Sequence, residues 1–586
     1  MVHTTRTYEK VEKLISYIIM VTIAVVPLIN IGRGIDVTDM GFSLSKYKAF
    51  FSAQHLSDVS TVLSDFLGAL VFGAVPVGSV FAIHVMQWLS YSAVSFMVYN
   101  TFKDSMPRIP LLFALLVSTM FSFTWVRYWN YQTISVLFLC TGLWLLTRSF
   151  KSGNISSLML SGFVMGASLF ARTPNILHIM FFAAIIWYYG FCSRDWRSAL
   201  KKTGLFLASA AMAIIIFGTL AVAFLGFDEV LGNLSELLSA AQGSNPSQRS
   251  YSASVILESL NNDVKQGIRF FFSHMLPPAL FLCGMTWLLS KQWVGKRLSS
   301  LLFLISFLLS LIYTLRLGYR GGFSFPDTAS AFSLCLSVLI AIVSVKKAPL
   351  LSTLLFISCG VVCIVPLGTN NGFGYIRIFL HFPLTAIAAS GFWLHKYTII
   401  KMPIVSERNW LSLPIACCMI LLITGTISGV LQFRSYVYRD RPYSELTTSV
   451  QHPDLKFLRT STLRAAQFQT YIDQLRPFSG KTQLTYGSFA IGYILTDLPP
   501  ALMHPWPDIM SFTVDAFSQR LNDIAYPEKL PIVVFAEIDN MGKRSNTPEE
   551  REKRRLINEF LEDHHYIEFF HDDYFQMFAP PELQYR

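Results

Sequence analysis

Charge is scarce in this chain. Asp, Glu, Lys and Arg supply 14% of its 586 residues, against about 25% in an ordinary soluble domain. Hydrophobic residues supply 53%, and mean hydropathy is +0.46. One water-soluble core cannot hide that much apolar surface, so the composition describes a polytopic membrane protein. Cysteine is scarce too. Of the eight, Cys140, Cys283, Cys335, Cys359, Cys363, Cys417 and Cys418 fall inside apolar segments and Cys192 at the end of one. That placement excludes a disulfide framework or a thiolate metal site. No long basic run exists either. The net charge of +11 is spread in twos and threes between apolar runs, which marks membrane topology and excludes nucleic acid as a partner. Internal repeats and low-complexity segments are absent.

What is present is a series of apolar segments. The first, at about 14–31, follows Arg6, Lys10 and Lys13 and lacks a small-x-small cleavage site, so it reads as an uncleaved span. Others lie at roughly 77–100, 110–126, 131–149, 157–171, 174–191, 202–225, 272–289, 298–316, 327–345, 349–366, 375–395 and 411–431. At about 20 apolar residues per crossing, this makes about thirteen spans. Two stretches depart from a plain crossing: 62–76, a half-span or membrane-lying helix, and 157–191, which Arg172-Thr173-Pro174-Asn175 interrupts. Lys103/Arg108, Arg148/Lys151, Arg194 to Lys202, Lys291 to Arg297, Lys346/Lys347 and Lys396 to Arg408 fill every second loop. With the amino terminus cytoplasmic, these loops are inside. Loops 32–76 and 227–271 are then outside, and so is everything after about Gln432.

That last part, 436–586, is charged and of mixed strand and helix character, enough for one small α/β domain. Thr482–Tyr486 and Ile532–Phe535 read as strands, and Tyr566–Phe570 with Tyr574–Phe578 as a hairpin. Pro548–Asp563 reads as a helix with Thr547 as N-cap. His564, His565, His571, Asp572 and Asp573 read as solvent-facing rather than as a metal cluster. The rigid aromatic segment Pro499–Pro507 suits a piece that folds back over a membrane-side cavity, or a plain loop.

Asp36 and Asp39 stand where the chain first leaves the membrane, ahead of an amphipathic run opening Asp39-Met40-Gly41-Phe42. Three-residue spacing in a turn lets both carboxylates approach one point. They suit a general base with a neighbour, or a pair holding a divalent cation. They equally suit a helix cap and a solvated acid.

This layout resembles the GT-C superfamily of integral-membrane glycosyltransferases, which includes protein mannosyltransferases, aminoarabinose transferases and mycobacterial arabinosyltransferases. The resemblance implies a GT-C-like transmembrane module over 1–435, an extracytoplasmic domain over 436–586, and a polyprenyl-phosphate-linked sugar as donor. It places the catalytic base in the first external loop, at Asp39, with Asp36 as the secondary candidate. A divalent cation, Mg or Mn, is optional in that superfamily, and Asp36 and Asp39 would be its ligands here. The chain departs from the better-known subfamilies in having no Asp-Glu doublet and no WWD-type motif, which leaves the subfamily and the acceptor open: a cell-envelope glycan, lipid or protein.

Such a donor carries phosphate at the outer membrane surface, where Arg binds it bidentately. Arg127, Arg172, Arg316, Arg320 and Arg377 all fall at outer span ends. Arg172, Arg320 and Arg377 lead, beside turn-forming or Gly-rich residues; snorkelling to lipid headgroups is the plainer role for each. Asn370 and Asn371, in a Gly-rich external loop, suit sugar hydroxyls or a tight connection. Trp125, Tyr128, Trp129 and Tyr131 read as an interfacial belt, and His84 and Gln87 as interhelical hydrogen bonders.

The expected protein is thus a plasma (inner) membrane glycosyltransferase acting on the external face. A flippase or transporter of lipid-linked sugars and a non-catalytic membrane scaffold are the alternatives. Mid-span charge, one mark of a transporter, is nearly absent, and repeats, the other, are not visible. Alkaline phosphatase fused after Phe578 should be active and the same enzyme fused after Lys347 inactive; the opposite pattern would invert the topology.

Overall fold

The computed structural model describes residues 2–52, 56–125, 127–242, 252–290, 296–320, 324–369, 371–397, 413–435, 437–509, 512–538 and 547–583. The protein is a polytopic helical bundle with a small sheet region after it. Among the described residues, ten helices are long and apolar enough to cross a membrane, from Lys10–Asn30 to Ala416–Arg434. An eleventh is the pair Gly372–Phe379 and His381–Leu394, bent by 81°. Ile155–Phe170 and Leu301–Thr314 are shorter apolar helices. Each segment read as a span thus falls on a helix, and ten or eleven of these helices among the described residues are long and apolar enough to cross. Val62–Ala74 is a short apolar helix, in keeping with its reading as less than a full span.

Two local differences have physical causes. The run before Phe272, read as loop, is the helix Ala253–Phe270, and it continues without a break to Met285. No proline or glycine pair interrupts it before Pro277. The Gly-rich connection near 370 is a 3-10 helix, Gly372–Phe379, with Phe373, Tyr375 and Ile376 buried. The Phe373 amide donates to Asp263 Oδ2 at 2.8 Å, which fastens it to the preceding helix.

The outer faces are apolar. Leu301, Leu304, Leu308 and Ile312, at helical spacing, are all exposed, as are Leu14 and Ile18. In water such stripes would cost about 25 cal/mol per Å²; lipid solvates them. Inside, Ser118, Thr119 and Ser122 return their hydroxyls to carbonyls four residues back, so they pack without an open donor.

After the last span comes a four-stranded sheet built from β1 (Gln483–Tyr486), β2 (Ile532–Ala536), β3 (Ile567–His571) and β4 (Phe575–Ala579), in the order β1-β2-β4-β3. β1 and β2 are parallel, and the other pairs antiparallel. β1 and β2 are buried along their whole length. Helix Pro548–Asp563 starts with a capping box between Thr547 and Glu550.

The chain between the first span and the Asp39–Ala49 helix is threaded into this later region. The Arg459 amide donates to the Gly32 carbonyl and the Gly34 amide to the Arg459 carbonyl, both at 2.8 Å. Gly34 has φ +94°, which an L side chain rarely adopts. The Ile491 amide donates to Val37 O at 2.9 Å. Gly41 faces Ala490 and Ile491 so closely that a Cβ would lie 2.2 Å from the Ile491 nitrogen. Gly41→Ala should therefore cost about 1–3 kcal/mol, seen as a lower melting temperature in detergent; an unchanged value would mean that this contact is loose.

Candidate active site

Asp36 and Asp39 do come together, in different environments. Asp36 is buried at 5% exposure. Its Oδ1 accepts from the Thr38 amide at 2.9 Å and the Thr38 hydroxyl at 2.7 Å, and its Oδ2 from the Met40 amide at 3.2 Å. The Met40 amide is one of the free donors of the helix start. Asp36, rather than Asp39, is therefore the residue that caps the Asp39–Ala49 helix. Burial pushes its carboxyl up to about 6, helped by the Asp39 charge, while Arg439 and the Thr38 donors pull it down.

Asp39 is the first helical residue, with a side chain 34% exposed. Arg439 Nη1 lies 3.1 Å from its Oδ2, and the Tyr438 hydroxyl donates to the same oxygen at 3.1 Å. Its Oδ1 accepts from no described residue. Arg439 also donates to the Thr38 hydroxyl and holds φ at +54°, a left-handed conformation of the kind that gathers at functional sites. Next to it, Asp440 accepts from the Ile35 amide and the Thr460 hydroxyl, each at 2.8 Å, and so ties 438–441 to the first loop. On the other side of the helix, buried Lys46 lies 2.7 Å from Asp58 and 3.7 Å from Asp65.

The predicted arginines divide. Arg127 is buried, donates to Phe123 O at 3.3 Å and Arg33 O at 3.4 Å, and lines a narrow cleft with Asp36, Met40 and Tyr438. Arg172 donates to the Tyr375 hydroxyl at 2.8 Å and stands over that ring at 4.6 Å. Arg377 stands 4.9 Å over Trp125, whose ring lies 5.3 Å from Tyr438. A run of aromatic rings thus links Arg377 to the partner of Asp39. Arg316 is exposed on helix Lys296–Arg320 and touches no member of this cluster among the described residues. The Arg320 side chain and Asn370 lie outside the described residues. Asn371 is exposed, and its amide donates to the Thr369 hydroxyl at 3.3 Å.

Sequence reasoning missed Tyr438 and Arg439. The signal was Tyr438-Arg439-Asp440-Arg441-Pro442-Tyr443, a charged aromatic run just past the last span. Trp506, within the segment read as either a fold-back piece or a plain loop, lies 6.2 Å from Phe42 with Arg439 at 5.9 Å. The donor set does not fit a resident divalent cation. Among the described residues no three His, Cys, Asp or Glu side chains group together; both oxygens of Asp36 already accept hydrogen bonds, and Arg439 supplies the positive charge opposite Asp39.

Residues 64–222 match the family model described as dolichyl-phosphate-mannose-protein mannosyltransferase. The match covers part of the chain and is in keeping with the resemblance to the GT-C superfamily read from the sequence. The chain's apolar helices describe a multi-pass membrane protein. The matched part takes in Arg127 and Arg172 and begins after Asp39. Among solved structures, the Archaeoglobus fulgidus oligosaccharyltransferase tethered to an acceptor peptide with the NVT sequon aligns over 89% of this chain and 69% of its own, at 10% identity and a TM-score of 0.47. The archaeal oligosaccharyltransferase AglB of the same organism, in complex with an inhibitory peptide and a dolichol-phosphate, aligns over 89% and 69%, at 11% identity and a TM-score of 0.45. No curated protein sequence matches.

The Asp36 carboxyl has a pH signature. Its folded-state value lies above the unfolded 3.8, so its stabilising contribution is whole below that pH and lost as pH rises through about 6. At about 1.4 kcal/mol per unit, the loss approaches ~3 kcal/mol. Asp36→Asn keeps an acceptor oxygen without the charge. Its melting temperature should gain on the parent between pH 4.5 and 7; parallel curves would refute the assignment.

Proposed function

We propose that the chain transfers a sugar from a polyprenyl-phosphate-linked donor to a cell-envelope acceptor, on the external face of the plasma (inner) membrane. The amino terminus is cytoplasmic, and residues 436–586 form an extracytoplasmic domain beside the 1–435 module. The observation that carries this is the state of Asp39. One oxygen is held by Arg439 and Tyr438, and the other accepts from no described residue. A general base needs such a fixed carboxylate with one open lone pair at a partly solvated mouth.

Asp39 takes the proton of an acceptor hydroxyl through Oδ1. The acceptor oxygen attacks the anomeric carbon from the face opposite the phosphate. The bond from that carbon to the phosphate oxygen breaks, and polyprenyl phosphate leaves with the electron pair, so the anomeric configuration inverts. Arg172 and Arg377, on the same end of the bundle, hold the phosphate, and their positive charge stabilises what develops on the leaving group. Tyr375 and Trp125 keep the two guanidinium groups in place. Arg439 and Tyr438 fix one Asp39 oxygen and so orient the other toward the acceptor. Asp36 shapes the helix start. The family model, which names a dolichyl-phosphate-linked sugar, supports a donor of this class.

Asp39→Asn should keep its fold and its affinity for farnesyl phosphate, a short soluble analogue of the leaving lipid. The envelope product, measured by intact-glycan mass spectrometry in a host lacking the native gene, should fall about 10²–10⁴-fold. Transfer at the parental rate would remove Asp39 as the base.

A further inference from the structure

Lys553 takes no part in the chemistry above, yet it is 2% exposed. Its ammonium reaches from helix Pro548–Asp563 to donate to the carbonyls of Pro507 at 2.9 Å and Ile509 at 3.0 Å. The Phe512 ring lies 5.6 Å and the Phe517 ring 5.9 Å away. Burying an ammonium in such surroundings costs several kcal/mol before its hydrogen bonds are counted, and an apolar side chain of the same length would fill the space without that cost. What the lysine adds is two tethers on either side of Asp508.

Those tethers bear on one turn. Asp508 Oδ2 accepts from the Ser488 hydroxyl at 2.6 Å and from the Trp506 indole N–H at 3.3 Å, and its Oδ1 from the Gly487 amide at 3.3 Å. The rotation of the indole is thereby fixed. Ser488 and Met503, neither of them glycine, hold φ at +59° and +54°, so the turn and its support adopt backbone conformations that only surrounding contacts maintain. Held this way, Trp506 lies edge-on to Phe42, three residues after Asp39, and 5.9 Å from the guanidinium that grips Asp39. Trp125, Arg377 and Arg172 approach from the membrane-spanning helices instead.

We propose that the 504–509 turn is the acceptor-side wall of the Asp39 site and that Lys553 is the positioning residue that holds Trp506 in it. This rests on Asp39 acting as base, and it adds a division of labour: the bundle grips the donor phosphate, and the turn places the acceptor. A rigid indole supplies a large contact surface at low entropic cost beside a polar rim, and a displaced wall costs rate through misorientation of the reacting hydroxyl.

The test is a double-mutant cycle on the full-length protein, with Trp506→Ala, Lys553→Met and the pair expressed in a host lacking the native gene. Envelope product per folded protein is read by intact-glycan mass spectrometry, and farnesyl phosphate binding on the purified proteins. Each single variant should lose about 10-fold in product, the pair no more than either one, and farnesyl phosphate affinity should stay within about twofold. Trp506→Phe should recover most of the loss. Burial lowers the Lys553 amine to about 8, below its unfolded value, so its protonated form is a stability cost in neutral solution. Lys553→Met removes that cost and also the two hydrogen bonds, so it should melt close to the parent temperature. Multiplicative losses with a lower melting temperature would make Lys553 a core residue only. Parallel loss of farnesyl phosphate affinity, or full product from Trp506→Ala, would also overturn the proposal. Asp39→Asn run alongside separates the two readings: full product there defeats the base, whatever Lys553 does.

Discussion

The site depends on one close approach. Gly41 lets the Asp39–Ala49 helix lie against the backbone of Ala490 and Ile491, where any side chain would collide. That contact joins two parts of the chain 450 positions apart, and the surrounding hydrogen bonds repeat the join. Val37 O takes the Ile491 amide, Gly32 and Gly34 pair with Arg459, and Ile35 donates to Asp440. Without the approach, Tyr438 and Arg439 would have no reason to meet Asp39.

Two carboxylates three residues apart end in opposite conditions because the same approach buries one and leaves the other at the mouth. Asp36 sits in the plane of the join, takes the helix-start amides, and is driven toward its neutral form by loss of water. Asp39 points along the join, where Arg439 holds one of its oxygens. An arginine at this distance does what a metal ion would do for charge while leaving the other oxygen open. The buried Lys46, between Asp58 and Asp65, secures the far side of the same helix.

Much of the framework was legible. Apolar length and alternating basic loops marked the spans, because lipid demands internally bonded helices about 20 residues long. Thr547 and Glu550 marked a helix start that the structure reproduces as a capping box. The site was legible only in part. Asp39 could be singled out, but its role as cap or base could not, because Asp36 competes for the same amides and only coordinates show which wins. Arg316 reads like Arg377 in sequence, yet only Arg377 meets the aromatic run that leads to Asp39. The Gly-rich loop suited sugar hydroxyls or a tight connection equally, and only the structure shows Phe373, Tyr375 and Ile376 turned inward beside it.

The sequence alone therefore determined the solvent of this protein, its helices and the acidic turn that follows the first of them. These depend on local composition and period, which one stretch of chain carries by itself. The tertiary structure decided which carboxylate is buried, which arginine faces the other, and that an indole more than 450 residues later closes beside them. Those outcomes turn on distances of 2 to 6 Å between distant segments, and no local pattern encodes a contact between chains of residues that must first be packed together.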